Sequence, residues 1–209
     1  MAFGHDGGRA RSGQFICEIH ERRLWSGAAT MTPRQAAKTR IVKETLLIVC
    51  EGDAEIAFVR FVKRTYADAL GRAVQEQNAK GKGGKHVLEA GLRRAKNNRA
   101  FDKLVLLLDA DQDWNDVLRA KARKARIGKH PISVIDASPC LEAWLLQILG
   151  VETEGDTRHM KQKFEAHTGV EAHQPEWMER LLNREVLNTA RARVPQLADL
   201  MNHMGIAKR

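Results

Sequence analysis

Acids follow two unbroken apolar runs in this chain: Thr45-Leu46-Leu47-Ile48-Val49-Cys50 leads into Glu51-Gly52, and Lys103-Leu104-Val105-Leu106-Leu107-Leu108 leads into Asp109-Ala110-Asp111. If the two runs are neighbouring parallel strands, Glu51, Asp109 and Asp111 meet at one sheet edge. Three carboxylates in a small volume repel one another. A divalent cation is the usual way to hold them, and an all-oxygen donor set favours Mg²⁺ or Mn²⁺ over zinc. Asp109 and Asp111 flank one residue of extended chain, so they point to the same side. Glu55 follows Glu51 by one helical turn if a helix starts at once, and either faces the same cation or serves as a first-turn acid that suits the helix dipole. Asp113 is either a further ligand or the cap of the helix expected after it. Glu142 stands in the first turn after Pro139, near the same edge if a strand precedes it.

Basic residues supply a complementary set. Lys82 and Lys85 sit in the glycine-rich stretch Lys80–Lys85, read as a flexible loop that either touches a nucleic-acid backbone or is a solvated linker. The spacing does not fit a P-loop, because the pattern Gly-x-x-x-x-Gly-Lys-Ser/Thr is absent, so ATP hydrolysis is not expected. Lys121, Arg123, Lys124 and Arg126 follow the acidic turn, close enough in sequence to hold phosphates beside the metals, or else form a solvated helix face. His86, His130, His159, His167, His173 and His203 are scattered without a metal-ligand pattern and read as surface histidines.

These residues need an α/β scaffold to position them. Continuous apolar strands are the mark of a parallel sheet covered on both faces. From Thr45 a strand enters a helix over 54–70, followed by a short strand at 72–78 and a helix over Val87–Asn97. The strand Lys103–Leu108 comes next, then a basic helix over Trp114–Arg126 and a strand at Pro131–Ile135. Gly52 is read as the residue that lets the chain turn sharply after the first strand. Beyond Pro139 the pattern is helical: Leu141–Leu149, Thr157–His167, Pro175–Asn183, and Arg184–Met204 interrupted by Pro195. The expected organisation is a basic, partly disordered arm over 1–40, an α/β domain over 41–150, and a helical appendage over 151–209 packed on the same core.

Composition narrows the classes. At 209 residues and 43% apolar, one core is expected. No apolar run approaches the roughly 18–20 residues of a membrane span, and the first residues lack a secretion signal, so a soluble cytoplasmic protein is expected. Cys17, Cys50 and Cys140 form neither a disulfide framework nor a zinc site, and Cys50 is expected to pack. A net charge of +9 and a pI near 9.7 around an acidic site suit a polyanion, with nucleic acid the natural candidate. The charge gathers at 8–40, 80–99 and 119–130.

Together these features resemble the Toprim fold, in which a strand ending in Glu-Gly and a later strand ending in Asp-x-Asp jointly hold magnesium. Within it the chain is most similar to the RloB-like proteins of bacterial restriction and anti-phage loci, through Leu47-Ile48-Val49-Cys50-Glu51-Gly52 and Ser138-Pro139-Cys140-Leu141-Glu142-Ala143-Trp144-Leu145-Leu146. The resemblance covers about 44–150 and extends to the helical tail; it departs at Ala110, where a basic residue is expected, and at Glu55, where the second acid after Glu51 comes early. It implies a Toprim-like parallel core and a Mg²⁺- or Mn²⁺-dependent nuclease in anti-phage defence, acting on DNA or RNA, tRNA included. Asp109, Asp111 and Glu51 would hold metal, with Glu51 alternatively the general base. The other reading is a non-catalytic nucleic-acid-binding subunit working with a partner ATPase. Topoisomerase chemistry needs a tyrosine, and Tyr66, the only one, falls in the first helix.

Overall fold

Leu46, Leu47, Ile48, Val49 and Cys50 are all 0% exposed, so the first strand, β1 (Thr45–Cys50), is buried on both faces. The computed structural model describes residues 43–110 and 113–208. The expectations for the 1–40 arm and for Asp111 lie outside these residues. The order continues with α1 (Asp53–Thr65), β2 (Ala73–Asn78), α2 (Gly83–Asn97), β3 (Lys103–Asp109) and α3 (Asp116–Lys124). A small hairpin, β4 (Arg126–Ile127) with β5 (His130–Pro131), precedes β6 (Ser133–Ala137), and α4 (Leu141–Ile148) opens the helical half.

The main sheet is parallel, in the order β2-β1-β3-β6. Alternate residues feed two separate cores, as the period of a strand requires. Leu46, Ile48, Val105 and Leu107 pack on one side with α1 and the later helices. Leu47, Val49, Leu104 and Leu106 pack on the other with Val87, Leu88 and Ala122 of α2 and α3. Helices therefore cover both faces, and the core is a Toprim-like α/β sheet. The chain leaves β1 for β2 on one side and returns through α2 to β3 on the other. Strand order thus reverses at β1, which makes the carboxyl ends of β1 and β3 the natural crevice.

Several expected boundaries move. The helix expected at Val87 starts at Gly83, so the second half of the Lys80–Lys85 stretch is helical. A Cβ on Gly84 would lie 2.6 Å from Trp114 Cε3, so bare backbone is what lets the Trp114 ring seat against the helix. Packing here overrides the poor helix propensity of glycine. The basic helix is shorter than Trp114–Arg126, because Trp114 is buried and Asn115, not Asp113, caps it by accepting from Leu118 N at 3.1 Å. Pro131 belongs to the hairpin, and β6 starts two residues later. Gly52 has an extended backbone (φ −137°) open to any residue, and its missing side chain instead leaves room for Glu55 Oε2, 3.2 Å from where a Cβ would stand.

The C-terminal helices are α5 (Thr157–Thr168), α6 (Glu176–Leu181), α7 (Arg184–Ala190) and α8 (Pro195–His203). The break expected at Pro195 opens before it, and the proline takes the first turn of α8, where its missing N–H costs nothing. Phe164, Trp177, Leu187 and Met201 join the same apolar cluster as Ile48 and Val105. Edge-to-face ring pairs, Phe58 with Trp144 at 5.3 Å and Phe164 with Trp177 at 5.0 Å, stiffen that layer. No helix among the described residues is long and apolar enough to cross a membrane.

Candidate functional site

Glu51 is the first residue past β1, and its N–H donates to Leu107 O at 3.0 Å, so the β1–β3 ladder carries it to the crevice. Its Oε2 accepts from Asp109 N at 3.1 Å. Asp109 ends β3, and its Oδ1 accepts from Leu141 N at 2.9 Å, which supplies a cap that the α4 N-cap residue Cys140 does not. Glu55 reaches back so that Oε2 accepts from Gly52 N at 2.9 Å. Each of these acids is thus fixed by a backbone N–H rather than by a flexible side chain.

Their charges are close enough to be felt. Burial, then the charges of Glu55, Glu142 and Glu51, push the Asp109 carboxyl up to about 8 against the N–H of Leu141. Glu55, only 6% exposed, is raised in the same way, by burial and by Glu51 and Glu142. The Cys140 thiol is pushed up to about 12 by burial and by Glu142 and Asp109. Four carboxylates, Glu51, Glu55, Asp109 and Glu142, therefore share one edge of the sheet.

The donor set suits a hard divalent cation in kind: oxygen only, negative and mutually repelling. Among the described residues no three His, Cys, Asp or Glu side chains stand in an arrangement that would hold a metal ion. Asp113 is exposed beyond Asp109 and lies over the start of α2, its Oδ2 2.9 Å from where a Cβ on Gly83 would be. Glu142, noted in the sequence only for its nearness to this edge, belongs to the group.

The basic candidates divide. Gly81 N donates to Glu51 O at 2.7 Å, so the Lys80–Lys82 turn crosses the carboxylate edge, with Lys82 and Lys85 exposed beside it. Lys80 and Gly81 both adopt left-handed backbone (φ 66° and 63°), and Asn78 Oδ1 accepts from Lys80 N at 2.6 Å to hold the turn. Lys121, Arg123, Lys124 and Arg126 are not beside the acids. Ile132 N donates to Ala125 O, which pins the end of α3 at the amino end of β6. Lys121 faces Glu89 at 3.9 Å, and Arg126 donates to Arg123 O and Ala125 O.

Sequence reading missed the polar wall of the adjoining cleft. Asp53, Glu142, Lys161 and His173 line a hollow of about 310 Å³ between α1, α4 and the later helices. Lys161 and His173 are far from the strands in sequence, and no local pattern marks them. Of the histidines expected on the surface, His86 and His203 are half-buried, and burial lowers the pKa of His203. Cys50 packs at 0% exposure. Tyr66 is buried at the end of α1, donating to Asn188 Oδ1 at 2.7 Å.

A family model described as RloB-like protein matches residues 46–199, well over half of the 209 residues. No curated protein and no solved structure matches the chain.

Proposed function

The chain belongs to the RloB-like protein family, and on that premise we propose that it is a Mg²⁺- or Mn²⁺-dependent nuclease that hydrolyses phosphodiester bonds of DNA or RNA, tRNA included, in bacterial anti-phage defence. The observation that carries this reading is the joining of Glu51 and Asp109 at the strand-order reversal, with Glu55 and Glu142 near enough to raise the Asp109 carboxyl.

Glu51, Asp109 and Asp111 would hold the cation, with Glu55 and Asp113 as further donors. A cation there would activate a water and stabilise charge on the phosphate and leaving oxygen. The chain's own part is preorganisation. Leu141 N–H fixes the orientation of the Asp109 carboxylate, and Asp109 N–H fixes that of Glu51. The Gly81–Glu51 bond holds the Lys80–Lys82 turn where Lys82 and Lys85 would receive flanking phosphates.

The test incubates the full-length protein with labelled duplex DNA, single-stranded DNA and total tRNA, in Mg²⁺, in Mn²⁺ and in EDTA. Asp109→Ala and Asp111→Ala should each lose about 100-fold or more in rate. Cleavage retained by both variants would overturn the assignment. Metal-independent binding with no cleavage by the wild type would favour a binding subunit that relies on a partner ATPase.

A further inference from the structure

The carboxylate edge does not hold the larger hollow. A cleft of about 580 Å³ lies at the opposite, amino edge of the sheet, beside Phe101 and Asp102, which lead into β3. The seven residues of β3, at about 3.3 Å each, put it roughly 20 Å from Asp109. Its volume falls within the range of about 300–1,000 Å³ typical of small-molecule sites.

The two sides of the cleft differ in character. Its floor is apolar, built from Leu92 and Ala95 of α2, Phe101, and Ile127 of the hairpin. Its rim is cationic, with Lys96 in the last turn of α2, Arg99 two residues past its end, and Arg126 and His130 from the hairpin. The acid among its lining residues, Asp102, keeps its negative charge, and its Oδ2 accepts from Thr45 N at 2.7 Å and Thr45 Oγ1 at 2.9 Å, so the four cations of the rim outnumber it when His130 is protonated and still do so, three to one, when it is not. No ion pair among the described residues joins Lys96, Arg99 or Arg126 to an acid. The two bonds from Arg126 Nη1 to the carbonyls of Arg123 and Ala125, at 2.8 and 2.9 Å, orient its guanidinium without neutralising it.

We propose that this cleft binds a nucleotide, its base against the apolar floor and its phosphate on Arg99 and Arg126. A simple anion would leave the floor unused, whereas a ligand with a flat apolar part and a terminal negative charge engages both surfaces. Arginine forks suit phosphate oxygens because they donate two parallel hydrogen bonds. The ligand is either a free nucleotide or a nucleotide unit of a strand. The proposal stands apart from the nuclease reading, since it concerns binding and is tested without divalent metal.

Calorimetry on the full-length protein in EDTA would use three probes: AMP, inorganic phosphate, and a short 5′-phosphorylated single strand. Wild type should bind AMP or the strand, with inorganic phosphate about tenfold weaker or worse. The Arg99→Ala/Arg126→Ala pair should lose about tenfold or more in affinity, in keeping with charge-assisted bonds to phosphate. Circular dichroism would establish that the pair folds, and Arg99→Glu alone, at an exposed position, serves in its place if it does not. Binding of AMP assigns the cleft to free nucleotides, and binding of the strand alone assigns it to a nucleotide within a chain. The proposal is overturned if neither probe binds, if the folded variant binds like wild type, or if inorganic phosphate binds as tightly as AMP.

Discussion

The backbone N–H of Asp109 donates to Glu51 Oε2 at 3.1 Å, so the acid that ends one strand is gripped through the main chain of its neighbour. The β1–β3 register, in which Cys50 pairs with Leu107, sets the spacing of their backbones, and the Glu51 side chain closes the contact. A site built this way is preorganised by the sheet itself, and its electrostatic strain is carried by the fold.

That strain predicts a pH signature. Burial, followed by the charges of Glu55 and Glu142, raises the Asp109 carboxyl from its ordinary 3.8 to about 8. An acid raised in the folded state binds its proton more tightly there than when unfolded. Its stabilising contribution is full below pH 3.8 and is lost as pH rises from 3.8 through about 8. In EDTA, Asp109→Asn should match wild type near pH 4 and exceed it by several degrees in Tm near pH 8, with Asn Oδ1 still able to accept from Leu141 N. A Tm difference that does not change with pH would contradict this origin of the strain.

Gly84→Ala should destabilise, against the usual sign for a helix. In an exposed helix interior the change gains about 1 kcal/mol. Here the new Cβ would lie 2.6 Å from Trp114 Cε3, and Trp114 is only 3% exposed, so the ring must shift within a packed layer. Overpacking of this kind costs about 1–3 kcal/mol, and the urea midpoint should fall accordingly. A raised midpoint would mean that Trp114 does not seat on α2 as described.

Tyr66→Phe separates structure from chemistry. The hydroxyl donates to Asn188 Oδ1 at 2.7 Å, lies 3.2 Å from Arg184 O, and the ring sits under the Arg184 guanidinium at 4.9 Å. Losing the hydroxyl should cost about 1 kcal/mol of stability by denaturant titration. Under the proposed hydrolytic mechanism, which needs no strand–protein linkage, cleavage should be unaffected. Abolished cleavage in a folded Tyr66→Phe protein would reopen a covalent mechanism.

The parts of this fold legible in the sequence are those where burial leaves a one-dimensional trace. Leu46–Cys50 and Leu104–Leu108 read as strands because both their faces are covered, and the acids after them, Glu51 and Asp109, could be placed at one edge on that basis. The start of α2 is hidden because Gly83 and Gly84 read as breakers, while their purpose lies in Trp114, 30 residues on. Asn115 and Asp113 are equally good caps by residue type, and tertiary packing of Trp114 decides between them. Lys161 and His173 reach the cleft beside Glu142 only because the last helices fold back over the sheet. Lys121–Arg126 are near the acids in sequence but not in space, because α3 leads the chain away from them.

The course of α3 has a measurable consequence for nucleic-acid binding. Its nine residues run back along the sheet for about 13 Å, which carries Lys124 to the end of β6 away from the carboxylates. Lys82 and Lys85 remain at the carboxylate edge through the Gly81–Glu51 bond. If phosphates flanking the reactive bond lie on Lys82 and Lys85, the Lys82→Ala/Lys85→Ala pair should weaken binding of a catalytically inert substrate complex in EDTA. It should also lower the slope of log K against log salt by about 0.7–0.9 for each phosphate no longer neutralised. Lys124→Ala should leave cleavage of the labelled substrate nearly unchanged. Fluorescence anisotropy across a salt series reads the slope, and gel analysis in Mn²⁺ reads cleavage. An unchanged slope for the pair, or a greater cleavage defect from Lys124→Ala, would put the strand's path on α3 instead of the turn before α2.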